Sequence, residues 1–329
     1  MITIKDVAAE AGVAISTVSK VLNGYDGVSR STRDKVNNAV DRLGFTPNAV
    51  ASALSSKQSG RIALLLKMGP DNSAMDEINM RYLSGAIRSA MDNRLDAVTI
   101  MHEMISGLDK EALISYLRSQ SIEGLIIFGL NREDSVLLDL ISSQVFKTVV
   151  VDAPITNRST ASVSIDYAQA QYDVIMRTFE NIEGNRILYI AGKDSSYSTS
   201  EKLKAIERLD HELGVKSRII YGDFSELKAR EAVFEYAEKS DIIACGSDLM
   251  AIGAMRALME LDIFKPVCGF GGVRLMSYAG KQMNTVRQDF ENLAREAITL
   301  LKDLLGGKEG TAHCAGYELV RMKYADALK

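Results

Sequence analysis

No apolar run in this chain approaches the ~18 residues needed to cross a bilayer, so no membrane span is expected. The N-terminus is polar and starts directly on a helical pattern, which argues against a secretory leader. Cysteine is scarce. Cys245, Cys268 and Cys314 lie far apart with no C-x-x-C, a spacing that gives neither a disulfide framework nor a zinc motif and points to reduced thiols in a cytoplasmic protein. The three histidines, His102, His211 and His313, are scattered and fall into no catalytic motif. P-loop, G-x-S-x-G and metal-binding patterns are missing, and Gly269-Phe270-Gly271-Gly272, which lacks a following GxxG or GK, reads as a loop. The expectation is therefore a non-enzyme without metal or cofactor. An enzyme remains the second class, because α/β bodies host many chemistries.

What is present is ordinary in bulk and informative in detail. Apolar content of 47% and charged content of 25% suit a globular protein, and 329 residues suffice for two or three compact units. The net charge of −4 is unevenly spread. Residues 1–60 carry seven cations (Lys5, Lys20, Arg30, Arg33, Lys35, Arg42, Lys57) against five acids, a net of +2 that leaves −6 on the remainder. A basic head on an acidic body fits a phosphate-binding module joined to a domain with another task.

The head is legible residue by residue. Ile4, Val7, Ala8 and Ala11 form one apolar face, Gly12 supplies a positive φ, and the pattern restarts at Ile15 with Val18, Val21 and Leu22 turned inward. Ile15, Ser16, Ser19 and Lys20 are left outside. That is a helix-turn-helix, whose second helix enters the DNA major groove; the alternative is a helical hairpin with no ligand. Ser29 reads as the N-cap of a third helix through Val36, Ala39, Val40 and Leu43, ending at Gly44. Pro47 opens an alanine-rich stretch to Leu54, too short to hold a helix alone, and Ser55–Gly60 is a polar linker.

From Arg61 short apolar runs alternate with amphipathic helices. The strand candidates are Ile62–Leu66, Ala97–Ile100, Gly124–Phe128, Thr148–Val151, Arg186–Ile190, Ser217–Tyr221, Ile242–Ala244 and Pro266–Phe270. Helices are expected over Met80–Asn93, Lys110–Ser119, Tyr167–Asn181, Glu201–Leu213 and Leu249–Leu261. This alternation means βαβ units and parallel sheets, four strands in each of two similar lobes. Ligands of such sheets sit beyond the carboxyl ends of the strands.

Thr3-Ile4-Lys5-Asp6-Val7-Ala8, Ala11-Gly12-Val13, Ser16-Thr17-Val18-Ser19, Val21-Leu22-Asn23-Gly24 and Pro47-Asn48-Ala49 together resemble the N-terminal signature of LacI-type bacterial transcription regulators, the lactose and purine repressor family. A looser similarity runs through the body. The resemblance implies a small all-α helix-turn-helix head (1–46), a hinge helix and linker (47–59) and a two-lobed periplasmic-binding-protein-like α/β body with parallel sheets (60–329). Lobe 1 would hold about 60–157 and 285–312, lobe 2 about 158–284 and 313–329. It implies a repressor acting on genes of carbohydrate uptake or catabolism, allosterically controlled by a small molecule between the lobes. It assigns base reading to Ile15, Ser16 and Lys20, and phosphate positioning to Thr3, Thr17 and Asn23. Leu54 would wedge into the minor groove beside Asn48 and Ala51. The partners implied are a pseudo-palindromic double-stranded operator, an effector and a second copy of the chain. The chain stops at Lys329 with no heptad tail, so a homodimer is expected rather than a tetramer. A free solute-binding protein is a third class, disfavoured by the head.

For the effector, the resemblance points to Asp152, Phe224, Ser200 where the family has Arg, Ser247-Asp248 where it has Asn-Asp, and Gly271-Gly272 where it has Asp. The loop Gly69–Asn79 also lacks the family's Asn-Pro-aromatic sequence. These departures predict poor binding of simple neutral hexoses. Lys67, Lys193 and Arg274 near strand ends suggest an anionic effector with Arg274 as partner; the alternative is three solvated charges.

Overall fold

The computed structural model describes residues 2–22, 27–45, 60–67, 73–180 and 182–323. The chain forms two compact units, 1–59 and 60–329. Asn23, Asn48, Ala51 and Leu54 lie outside the described residues.

In the head, α1 (Ile4–Ala11), α2 (Ile15–Leu22) and α3 (Arg30–Leu43) enclose a core of Val7, Ala8, Val18, Val21, Val36 and Ala39. Thr3 precedes α1 in extended conformation, and its N–H and hydroxyl donate to the Asp6 carboxylate at 2.7 and 2.8 Å. Those bonds hold Asp6 below the usual carboxylate range. Gly12 turns the chain at φ +67°, and the Val13 N–H caps the Ala8 carbonyl at 3.1 Å. Ser29 accepts from the Thr32 N–H at 3.3 Å, and Gly44 ends α3 at φ +59°.

The body contains two six-stranded sheets. The first has the order β11-β5-β4-β3-β1-β2, all parallel, built from β1 (Arg61–Leu66), β2 (Asp96–Met101), β3 (Ile122–Phe128), β4 (Lys147–Val151), β5 (Thr160–Ile165) and β11 (Ala312–Ala315). The second has the order β12-β10-β9-β8-β6-β7, from β6 (Arg186–Ala191), β7 (Lys216–Tyr221), β8 (Ile242–Cys245), β9 (Val267–Gly271), β10 (Met283–Gln288) and β12 (Tyr317–Met322), with only β12 antiparallel. The period-2 alternation of side chains explains why each sheet is covered twice. Ile62 and Leu64 face α4 (Ser73–Asp92) and the long helix Phe290–Leu305, whereas Ala63 and Leu65 face α5 (Lys110–Ser119) and α6 (Ser135–Ser143). In the second sheet Ile187 and Tyr189 face α7 (Tyr167–Phe179) and α8 (Tyr197–Leu213); Leu188 and Ile190 face α9 (Glu226–Tyr236) and α10 (Asp248–Glu260).

The lobe boundaries expected from sequence need correction. Thr160–Ile165 belongs to the first sheet, so that lobe extends to about 165 rather than 157. Strand β10 lies in the second sheet, so 285–288 does not return to the first; only α11 (Phe290–Leu305) and β11 do. The first-lobe return also reaches Ala315 rather than 312. The reason is compositional. The small polar residues Thr160, Ser162 and Ser164 break the apolar run by which buried strands are recognised, yet Ser162 is 3% exposed and sits between β4 and β11. The chain changes sheets at Asp166, Asp289 and Gly316, and both aspartates cap the helix that follows, accepting from Gln169 and Asn292 N–H groups. Within the former loop Gly69–Asn79, residues from Ser73 are already helical.

Candidate functional site

On α2 the side chains of Val18 and Val21 are buried, whereas Ile15, Ser16 and Lys20 are exposed and Thr17 and Ser19 half-buried. Ile15 is 45% exposed on a helix whose other face is core. Thr3 is exposed beside the Asp6 cap.

In the body a cavity of about 370 Å³ opens between the carboxyl ends of the two sheets. Asp152 directly follows β4 at φ +65°, and Phe224 follows β7 at φ +60°. Non-glycine residues rarely hold such angles, and both line the cavity. The Tyr82 hydroxyl donates to Asp152 Oδ2 at 2.6 Å. Burial raises the Asp152 carboxyl; hydrogen bonds from Tyr167 and Tyr82 and the charge of Lys202 oppose that rise. The Phe224 ring packs where a Cβ on Gly192 would lie, 2.3 Å from two ring carbons, so the glycine is needed to admit it.

Lys202 was not singled out in the sequence and is the least expected group here. It is 5% exposed, lines the cavity, donates to the Gly246 carbonyl at 2.9 Å and holds its ammonium 3.8 Å from the Phe270 ring centroid. Burial brings its pKa down to about 7, against the pull of Asp152 and Asp248. The signal that could have found it is its register: Lys202, Ala205, Ile206 and Leu209 form the buried stripe of α8.

Three sequence-based site assignments need revision, and two cations of the cleft are already paired. Ser200 does not line this cavity; its hydroxyl accepts from Arg132 Nη1 at 2.7 Å on the rim, because its position two residues before Lys202 turns it away from the inward stripe. Asp248 is buried but turned beneath the β9–β10 segment, where it accepts from the Val273 N–H at 2.8 Å and the Thr285 hydroxyl at 2.6 Å. Burial raises its pKa to about 6, opposed by those bonds and one from the Gly272 N–H. This close approach explains Gly269, since a Cβ there would sit 2.4 Å from Asp248 Oδ1. Arg274 is exposed and outside the cavity; its backbone N–H donates to the Glu77 carboxylate at 3.0 Å. Lys67 and Lys193 do line the cavity, but each has a carboxylate: Asp134 at 2.5 Å and Glu133 at 2.9 Å. Ser247 lines it while also capping α10 through the Met250 N–H.

The cavity's lip is closed by contacts between the lobes. The Arg132 N–H donates to the Ser195 carbonyl at 2.9 Å, its guanidinium reaches the Ser196 carbonyl at 3.3 Å and lies 4.6 Å from the Tyr197 ring centroid.

Residues 3–48 match the family described as bacterial regulatory proteins, lacI family. The HTH-type transcriptional regulator RegA of Clostridium saccharobutylicum is 30% identical over 322 residues, covering 93% of each chain. This chain belongs to the lacI family. Catabolite control protein A of Priestia megaterium is 29% identical over 320 residues, 91% of each chain. Among solved structures, a transcriptional regulator CelR–cellobiose complex shares 26% identity with a TM-score of 0.71, covering 98% of this chain and all of that one. The Lac repressor dimer bound to operator and the anti-inducer ONPF, at 23% identity and a TM-score of 0.80 over 98% and 99% of the chains, shares the fold. The protein is thus a LacI-type bacterial transcription regulator with a helix-turn-helix head and a two-lobed α/β body. Among the described residues no helix is long and apolar enough to cross a membrane.

Proposed function

We propose that this lacI-family chain is a cytoplasmic, homodimeric repressor that binds a pseudo-palindromic operator and is controlled by a carbohydrate-derived effector held between its lobes. The observation that carries the DNA half is the outward face of α2, where Ile15, Ser16 and Lys20 stand exposed opposite the buried Val18 and Val21. Lys20 suits a guanine edge or a phosphate, Ser16 is a permissive reader, and Ile15 offers an apolar contact of the kind thymine methyl groups accept. Thr3, Thr17 and Asn23 are assigned to phosphates; Asn48, Ala51 and Leu54 to the minor groove. Two-fold symmetric heads match two half-sites.

The effector half rests on the cavity. Its volume of about 370 Å³ falls in the range of small-molecule sites, and Asp152, Asn79, Asn131, Ser198 and Gln288 offer hydrogen bonds beside the faces of Phe224 and Phe270. Because Lys67 and Lys193 already have carboxylates, a neutral hydroxyl-bearing ligand is favoured over an anion. An effector changes operator affinity by as much as it distinguishes the two states of the protein. Selection of operator sequences from a random duplex pool, followed by anisotropy titration, tests the reading. Lys20→Ala should weaken the selected operator about ten-fold or more and random DNA much less. Equal losses on both, or no enriched sequence, would refute base reading by α2.

A further inference from the structure

A second cavity, of about 440 Å³, lies at the opposite edge of the second sheet from the cleft. The sheet register puts it there: Asn284 pairs with Cys268 on one side and Arg321 on the other, at the amino ends of β9 and β10, whereas the cleft lies beyond their carboxyl ends. Arg177, Lys265, Lys281 and Arg321 surround it, and Glu180 is the one acid among its lining residues.

These cations differ from those of the cleft. Lys67 and Lys193 are matched by carboxylates, whereas among the described residues the side chains of Lys265, Lys281 and Arg321 have no ion pair or hydrogen bond. Arg177 has a partial structural explanation: it sits in the last turn of α7 and donates one N–H to the Leu319 carbonyl at 2.8 Å. That bond fixes the guanidinium and leaves its other donors available. Phe264, 78% exposed on the same rim, has no packing role that would account for it. Like charges gathered in a concavity focus a positive potential, and Arg forks match phosphate oxygens.

We propose that this pocket is a second ligand site that takes a small phosphorylated compound of the nucleotide class, its phosphates among Lys265, Lys281, Arg321 and Arg177 and its ring on Phe264. The cations and the exposed ring meet at a single concavity of about 440 Å³, a volume that suits a small molecule. The site is separate from the cleft, so the proposal stands independently of the carbohydrate reading.

The test is calorimetric titration of the full-length protein with ATP, pyrophosphate and adenosine. ATP should bind once per chain, pyrophosphate about ten-fold more weakly for want of ring stacking, and adenosine not measurably. Phe264→Ala should bring ATP to the pyrophosphate level and leave pyrophosphate unchanged. Lys281→Gln with Arg321→Gln should weaken both by about ten-fold or more, with the urea midpoint unchanged because both side chains are exposed. The proposal is overturned by the lack of saturable ATP binding, by unchanged affinity in the double variant, or by a random single-stranded oligonucleotide that displaces ATP and binds more tightly. Operator binding by these variants should match that of the unmodified chain.

Discussion

Replacing Lys202 by methionine should stabilise the body at neutral pH and lose that advantage in alkali. With the amine held at about 7 against an ordinary 10.5, charging it in the folded chain costs about 5 kcal/mol more than in the unfolded one. At pH 7 the folded amine is half charged, and its penalty is about 4 kcal/mol. Methionine fills nearly the same volume beside Phe270 without that penalty. Two losses oppose the gain. The Gly246 carbonyl gives up its bond to the ammonium, worth about 1 kcal/mol or somewhat more, and Asp152 and Asp248 lose a favourable charge. A net stabilisation of about 2 kcal/mol at pH 7 is expected.

The pH dependence supplies the sharper test. Folding weakens proton binding by this amine, so between pH 7 and 10.5 the unfolded chain holds more protons and stability rises with pH. Below pH 7 the amine is charged in both states and the whole penalty stands. Relative to Lys202→Met, the unmodified protein should therefore gain about 3 kcal/mol between pH 7 and 10, enough to bring the two level or reverse their order. Urea midpoints of the body's transition, measured in parallel at several pH values, read this difference while tyrosine and cysteine titrations cancel. A stability difference that stays constant from pH 7 to 10 would refute the burial of a charged amine.

Gly85→Ala should destabilise the first lobe by about 2–3 kcal/mol, since its Cβ would meet the Glu291 carbonyl 2.2 Å away where α4 crosses α11; an unchanged melting temperature would mean that the helices separate freely. Arg132→Ala removes the guanidinium's rim bonds to the Ser196 carbonyl and the Ser200 hydroxyl and leaves only the backbone bond to Ser195. Small-angle scattering should then show a larger radius of gyration for the body, and identical curves would show that other contacts hold the lip closed.

The head was legible because each local signal agreed with every other. Gly12 and Gly44 both adopt the left-handed angles that the turns require, Ser29 caps the helix it precedes, and the inward residues of α1 and α2 form the core. In the body the eight apolar strands fall within a residue or two of expectation, the interior ones because a strand covered on both faces leaves a continuous apolar run. Strand β5 escaped for the converse reason. Thr160 and Ser162 are buried between neighbouring strands whose ladder, not their side chains, holds them. Strands β10 and β11 gave weak runs for a related reason: Asn284, Thr285, His313 and Cys314 interrupt them.

The cleft was legible as a place but not as a chemistry. Topology put it beyond the strand ends, and Asp152, Phe224 and Ser247 reach it because each stands in the first few residues after a strand. Residues further along a helix are governed instead by the 100° step of the helix, which no strand-end argument contains. Two positions separate Ser200 from Lys202, enough to send one to the rim and the other inward. Asp248 shows the opposite limit. Its position after β8 suggested a ligand contact, yet Gly269 lets the backbone close on it, and three protein donors satisfy the carboxylate. A glycine-rich segment beside a buried acid therefore marks an internal anchor here, and the pKa of about 6 makes the distinction measurable. Asp248→Asn removes the charge but keeps the shape. Because folding raises this carboxyl, the unmodified protein gains stability as pH falls from above 6 toward 3.8, and the variant lacks that gain. Two urea-midpoint curves that run parallel between pH 7 and 4 would mean that Asp248 is hydrated in the cleft after all, and its role as a ligand contact would be restored.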